Sequence, residues 1–549
     1  MYSQKALSKE AGPPLFWAPL LTIAAAALAA EIPFFFLGTP SGHDIDFHLY
    51  SWLEILAQWK QGIWLPRWAA LAHFGYGEPR FVFYPPASWT LGAALSAILP
   101  WTLVPAVYLW IVLTLAGVAM FFLARTWLPR RDAIFAGALY AVNPYHLVIV
   151  YWRSAFAELL ASCLVPLLFL FVLRAVDGKR RAFILLALVL AGAWLTNVPA
   201  AVMIHYSFAL LIVFFAGKKR SPRLLLVGGG AVALGACLAA FYLLPAIYEQ
   251  RWVNVAAALS AGLRPQDNFL FAHTTDADHD TFNRIVSWLA VFEITVIFVA
   301  ALPGKLVRSL QRDRLDALWI WAMVCTGLLL PLTTILWRIL PKLAFMQFPW
   351  RWLLCLSMIC AILVSLGLRS WWVRGAVCAL SLLLIVVAWH RVQAPWWDSA
   401  ADLREIQDNM ASGIGSEGTD EYTPLGADPT EIDQAARNAT VVGSARTAIH
   451  VLRWDAESKV LTAEMPAADQ LALRLFRYPA WQVRVNDHVV EMYARAENGQ
   501  MLVPVGAGMN RVEITFVRTW DRTVGGWISV ASVIVITVIL LAGRKNSSA

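Results

Sequence analysis

The chain has 549 residues, of which 59% are hydrophobic and only 15% charged, where a soluble globular domain carries about a quarter charged residues. Apolar runs of about 20 residues recur, the length a bilayer core demands, which excludes an ordinary water-soluble fold. The formal net charge is +8, but the basic residues gather in short loops between apolar runs, so the excess reads as a positive-inside bias and needs no nucleic-acid partner.

Lys5 and Lys9 precede the first apolar segment, Leu15 to Leu37. That segment is too long for a signal peptide and lacks a clear cleavage site, so it reads as a span leaving a cytoplasmic N-terminus. The stretch Ser41-Gly42-His43-Asp44-Ile45-Asp46-Phe47-His48-Leu49-Tyr50 follows directly. It sets two carboxylates and two imidazoles at the mouth of a span. Behind it, Leu49, Trp52, Leu53, Leu56 and Trp59 recur at helical spacing, which predicts an amphipathic helix from Phe47 to Trp59 with Asp46 as its N-cap. A charged cluster held at a bilayer surface points to chemistry at that surface; the plainer reading is a solvated loop whose acids cap a helix. Residues 38–85 form the first exterior loop, closed by Tyr84-Pro85-Pro86, a stiff entry into the next apolar stretch.

Residues 87–124 hold two apolar pieces divided near Pro100 and Pro105. Two full crossings would place Arg125, Arg130, Arg131 and every later basic loop outside. The charge rule therefore predicts one net crossing, with 87–104 a short or re-entrant helix. Further spans are expected at 133–151, 156–175, 183–198, 200–216, 224–247, 285–302, 315–335, 351–368, 375–393 and 524–543. The basic loops Lys179–Arg181, Lys218–Arg223, Lys305–Arg314, Arg369/Arg374 and Arg544/Lys545 then lie inside. The exterior pieces are 38–85, 152–155, 248–284, 336–350 and 394–523. The six cysteines, Cys163, Cys237, Cys325, Cys355, Cys360 and Cys378, all fall in apolar segments, which suits packing rather than a disulfide framework.

Residues 394–523 change character. Leu471/Leu473/Leu475, Trp481/Val483/Val485 and Val512/Ile514/Phe516 alternate, the period of half-buried strands. Asn486-Asp487 and Asn498-Gly499 mark tight turns. A small exterior antiparallel β domain is expected behind a looser polar segment at 400–440, tethered by the last span in 524–549. Asn438-Ala439-Thr440 fits a glycosylation acceptor.

Membrane-edge charges are costly and invite a reason. Arg153 and Glu158 flank an exterior turn; they pair with each other, or Arg153 forks onto a lipid phosphate. Arg351, in Gln347-Phe348-Pro349-Trp350-Arg351, is an interface anchor or a second phosphate contact. Asn197 and His205 lie within apolar helices, and His205 reads as a packing residue. The acidic loop His273 to Asp280 carries ligand types for a hard cation or zinc but matches no standard metal loop. Trp396, Trp397 and Trp481 suit either sugar stacking or interface and core packing.

Together these pieces resemble a GT-C-type membrane glycosyltransferase, and more narrowly the bacterial 6-pyruvoyl-tetrahydropterin-synthase-related membrane proteins akin to the YfhO-like group. The matching stretches are Gly42–Leu49, Phe74-Gly75-Tyr76-Gly77 through Phe83–Pro86, Arg153–Glu158, Gln347–Arg351, Glu421-Tyr422-Thr423-Pro424 and Phe476–Trp481. Ser154 and Ala480 stand where the pattern has Gly. The resemblance implies a polytopic all-α membrane fold of roughly 12 to 13 spans, residues 1–393, with a β-sandwich-like domain at 394–523. It implies transfer of a sugar from a polyprenyl-phosphate donor to a glycan, lipid or protein acceptor, outside the inner membrane. Asp44 would be the general base, with Asp46 and His48 orienting it; Arg153, Arg351 and Glu158 would form the donor phosphate site. A divalent cation, Mg or Mn, on His43, Asp46 and His48 is the cofactor expectation. A flippase for lipid-linked intermediates, or a non-catalytic envelope assembly protein, are the competing readings.

Overall fold

The computed structural model describes residues 17–179, 181–301, 312–368, 370–392, 396–443 and 447–545. Lys5, Lys9, Arg180, Lys305, Arg308 and Arg369 lie outside them. Among the described residues, seven helices are long and apolar enough to cross a membrane, or nine if each of two bent pairs is one span. The count falls below the sequence expectation because several apolar runs form short or broken helices. The 183–198 run is a 15-residue helix, Ala182–Thr196. The 224–247 run bends by 77° between Pro222–Leu238 and Ala240–Trp252, and 315–335 bends by 90° before Pro331–Ile339.

The first divided run settles as a 13-residue helix, Pro86–Ile98. At 1.5 Å per residue that is about 20 Å, short of a ~30 Å hydrocarbon core. A break at Leu99-Pro100 precedes the longer helix Val104–Ala124. Ion pairs gather the basic loops that follow: Arg374–Asp132 at 2.8 Å, Arg314–Asp177 at 2.9 Å and Lys219–Asp313 at 2.6 Å. These contacts put the ends near residues 125–132, 177, 218, 313 and 374 on one face of the bundle. Trp101, at the other end of its helix, donates its indole N–H to Leu403 O at 2.6 Å. Residues 86–100 therefore make no net crossing.

On the opposite face, nine antiparallel strands among the described residues build the β domain. They are β1 (Ala439–Val441), β2 (Ile449–Trp454), β3 (Ser458–Met465), β4 (Asp469–Phe476), β5 (Trp481–Val485), β6 (His488–Val490), β7 (Tyr493–Ala494), β8 (Gln500–Val505) and β9 (Gly508–Phe516). Two sheets result, in orders β1-β4-β8-β7 and β2-β3-β9-β5-β6. The expected alternation holds: Leu471, Leu473, Leu475, Val483, Val512 and Ile514 are all buried in the shared core. Asn486 and Asp487 both have positive φ, 48° and 68°, the two-residue hairpin geometry that joins β5 to β6. Trp481 belongs to this core, against Trp68 and Phe516, so it is unavailable to a sugar. The domain is narrower than 394–523, because residues 396–438 form a helix, Ala400–Ser412, and loops that run back over the bundle. The last helix begins at Trp520.

Candidate functional site

The helix after the first exterior turn starts at Ile45, two residues earlier than its apolar spacing suggested, and Asp44 occupies its N-cap position without a capping bond. Backbone contacts fix the turn before it. His43 N–H donates to Trp152 O at 3.2 Å and Asp44 N–H to Arg153 O at 2.9 Å. Gly42 N–H donates to Ser154 Oγ at 3.0 Å. Gly42 permits this approach, since a Cβ there would stand 2.5 Å from the Trp152 carbonyl oxygen. Ser154 is left-handed, φ 49° and ψ 31°, which is why Gly suits that position. Its hydroxyl recovers some of the cost by donating to Pro40 O at 3.2 Å while accepting from Gly42.

This clamp sets Asp44 against Arg153, at Oδ2–Nη2 3.2 Å. The charges then alternate inward. Arg153 Nη1 lies 3.5 Å from Glu158 Oε2, which accepts from Arg351 Nε at 3.0 Å. Glu158 is 2% exposed, and Arg153 and Arg351 are 7% exposed, so each charge depends on its partner to offset lost hydration. Tyr145 donates its hydroxyl to Glu158 at 2.6 Å, and Arg351 Nη1 donates to Met346 O at 2.6 Å. Both guanidinium groups lie over the Phe348 ring, and Arg153 also over Trp350, contacts that favour a cation. On the other side, His43 Nδ1 is 3.0 Å from Asp44 Oδ1. Burial would lift the Asp44 carboxyl, but the Arg153 charge and the His43 contact outweigh it and hold it well below the usual carboxylate range. The same contact raises the His43 imidazole.

Asp44, Arg153, Glu158 and Arg351 line a cavity of about 610 Å³, within the range of small-molecule sites. Its wall also includes His43, Tyr84, Asn197, Trp350, Trp396 and Tyr422. Among the described residues, the buried Trp350 Nε1 there makes no hydrogen bond, and Arg153 Nη1 makes none beyond its 3.5 Å ion pair with Glu158.

A family model for the 6-pyruvoyl-tetrahydropterin synthase related domain, described as a membrane protein, matches residues 81–394, more than half of the chain. The chain belongs to this family. The match takes in Tyr84, the Arg153–Glu158 turn and Arg351, but stops before the β domain. Among solved structures, the family member is similar to ArnT from Cupriavidus metallidurans bound to undecaprenyl phosphate, at TM-score 0.45 and 14% identity over 68% of this chain and 65% of that one. It is also similar to the arabinofuranosyltransferase AftD from Mycobacteria, at TM-score 0.41 and 16% identity over 67% and 27%. A third is the oligosaccharyltransferase AglB from Archaeoglobus fulgidus, in complex with an inhibitory peptide and a dolichol-phosphate, at TM-score 0.38 and 15% identity over 74% and 56%. The chain thus spans less than two thirds of each of these proteins. No curated protein matches it.

Within this family member, three sequence candidates stand away from the cavity or in another role. Asp46 is exposed beside Glu417 and is inside the helix rather than its cap. His48 is buried and stacks on Phe156, centroids 5.1 Å apart; burial pushes its imidazole down to about 4, so it is neutral and packs the helix. Residues two apart on a helix point about 200° apart, and Asp46 and His48 therefore cannot converge with His43 on one ion. Among the described residues, no three His, Cys, Asp or Glu side chains are grouped to hold a metal, and the expected cation site does not fit. Glu158 is the third. It is an anion tying two arginines together, and it would repel a phosphate rather than bind one.

His205 Nδ1 donates to Ala201 O at 2.8 Å and packs on Trp194, as expected of a packing residue. Asn197 does more than pack: it caps the helix Val198–Lys219 through Ala200 N–H and lines the cavity. In the acidic loop, His273 pairs with Asp280 at 3.0 Å in the open, while Asp276, Asp278 and His279 reach the cavity rim. Sequence reasoning missed Thr419 altogether, and it saw Glu421 and Tyr422 as a motif but not their return over the cavity.

Proposed function

We propose that this protein is a membrane glycosyltransferase that moves a sugar from a polyprenyl-phosphate donor to an acceptor hydroxyl on the extracytoplasmic face of the inner membrane. The observation that carries the reading is the Asp44–Arg153–Glu158–Arg351 chain in the wall of the 610 Å³ cavity. Its guanidinium donors suit a ligand rich in acceptor oxygens, such as phosphate. The donor class itself comes from the motif resemblance.

In the reaction, the acceptor oxygen forms its bond to the anomeric carbon as the bond from that carbon to the phosphate oxygen breaks. The acceptor proton passes to the Asp44 carboxylate. The polyprenyl phosphate leaves with the bonding electrons, and Arg153 and Arg351 balance its charge. Glu158 holds both guanidinium groups in place. As Arg153 turns toward phosphate, Asp44 loses part of the charge that keeps its carboxyl acidic, so donor binding strengthens the base.

The test is transfer of label from lipid-linked sugars by purified protein. Asp44→Asn should lower kcat by at least about a hundredfold, the lower range for loss of a general base, with expression unchanged. Full activity in that variant would remove Asp44 from the role.

A further inference from the structure

The glycosyltransferase reading leaves the acceptor unnamed, and one part of the cavity is unused by it. Residues 396–424 leave the bundle, form the helix Ala400–Ser412, and return across the mouth. Their return is fixed at several points. Thr419 N–H donates to Glu78 Oε2 at 2.8 Å. Thr423 O accepts from Asn254 N–H at 3.0 Å, and Leu425 N–H donates to Trp252 O at 2.9 Å. Tyr422 stacks on Phe83, centroids 5.9 Å apart and rings 12° from parallel. The clamped turn delivers Thr419, Glu421 and Tyr422 to the same cavity that holds Asp44. Trp396, 38% exposed, lines it too.

We infer that Glu421, Tyr422 and Trp396 form the acceptor half of the site and that the acceptor is a neutral carbohydrate. This inference rests on the transferase reading. The cavity wall carries two chemistries: Arg153 and Arg351 supply cationic donors, while Glu421, Asp276 and Asp278 supply carboxylates and Trp396 and Tyr422 supply aromatic rings. Carboxylate oxygens accept from neighbouring sugar hydroxyls, and aromatic faces cover the C–H face of a sugar ring. The same carboxylates repel a phosphorylated or uronic-acid acceptor, and keep it from competing for the arginines.

The test uses the full chain in nanodiscs against an array of neutral, amine-bearing, carboxylated and phosphorylated oligosaccharides. Neutral glycans should be retained, and Glu421→Gln and Trp396→Ala should each weaken their binding about tenfold while thermal unfolding is unchanged. Preference for anionic or amine-bearing glycans, or unaltered binding by both variants, would overturn the assignment. Kinetics separates the two proposals. Sugar transfer from lipid-linked donors with an acceptor KM unmoved by Glu421→Gln defeats this inference alone. No transfer from any such donor by the unmodified protein defeats the transferase reading, whatever the array shows.

Discussion

The charge of Asp44, the proposed base, is set by a neighbour 109 positions away in sequence. Its carboxyl sits below the ordinary range because the Arg153 charge and the His43 contact prevail over burial. The carboxylate therefore persists as pH falls, and Asp44 imposes no acid limb on kcat/KM near neutrality. Replacing Arg153 by Gln removes the largest lowering influence and leaves burial, which raises the pKa. The acid limb of kcat/KM, which reports the donor-free protein, should move upward in Arg153→Gln and stay low in the unmodified protein. An unmoved limb would mean that Arg153 does not tune the base. Asp44, Arg153 and Arg351 were legible in the sequence because charges at a membrane edge are costly enough to mark themselves. Asp46 and His48 misled because composition within six residues says nothing of direction, which helical rotation decides.

At the scale of elements, the helix Ile45–Lys60 carries Asp44 at its N-cap position and a buried acid further along. Glu54 is buried and accepts from Leu71 N–H at 3.1 Å, and Gln58 binds Trp68 O at 2.8 Å, so this helix holds the first exterior loop. Burial pushes the Glu54 carboxyl up to about 7. A folded pKa above the unfolded value means that the folded state binds more protons between about 4.5 and 7, so stability falls as pH rises through that window. Glu54→Gln keeps the acceptor and removes the charge. Its melting temperature should match the unmodified protein at pH 4 and exceed it at pH 8; a deficit at pH 8 would show that the ionised form is stabilised. The turn ahead of the helix gives a second check. Gly42→Ala forces a Cβ against the Trp152 carbonyl, so it should separate Asp44 from Arg153 and reduce kcat with little effect on the β domain. Alternating strands and the Asn486-Asp487 hairpin were readable because period and turn chemistry are local. Short helices were overcounted as spans, since an apolar run shows hydropathy but not where a Pro or a bend ends it.

For the whole molecule, the question is what keeps the β domain and the bundle in register, since the segment that lends Thr419, Glu421 and Tyr422 to the cavity runs on into the β domain. Trp68 and Tyr76, from the first exterior loop, are buried in the β-domain core against Trp481 and Phe476. Beside them Glu249 is fully buried and receives Arg522 through two bonds of 2.7 Å and the Tyr478 hydroxyl at 2.6 Å. These three residues come from the end of a bent helix pair, the start of the last helix and the loop before β5, contacts spanning 229 and 273 positions. No local pattern announces such a joint, which is why the sequence read the domain as a tethered appendage. Removing one partner of a buried pair leaves an uncompensated charge, at about 3–5 kcal/mol. Glu249→Ala should therefore lower the thermal unfolding transition, and Glu249→Leu with Arg522→Met should recover part of the loss. Neither residue lines the cavity. If the joint holds the 419–422 turn over Asp44, the single variant should also raise the acceptor KM while sparing that of the donor. A stability loss with both KM values unchanged would make the joint purely structural.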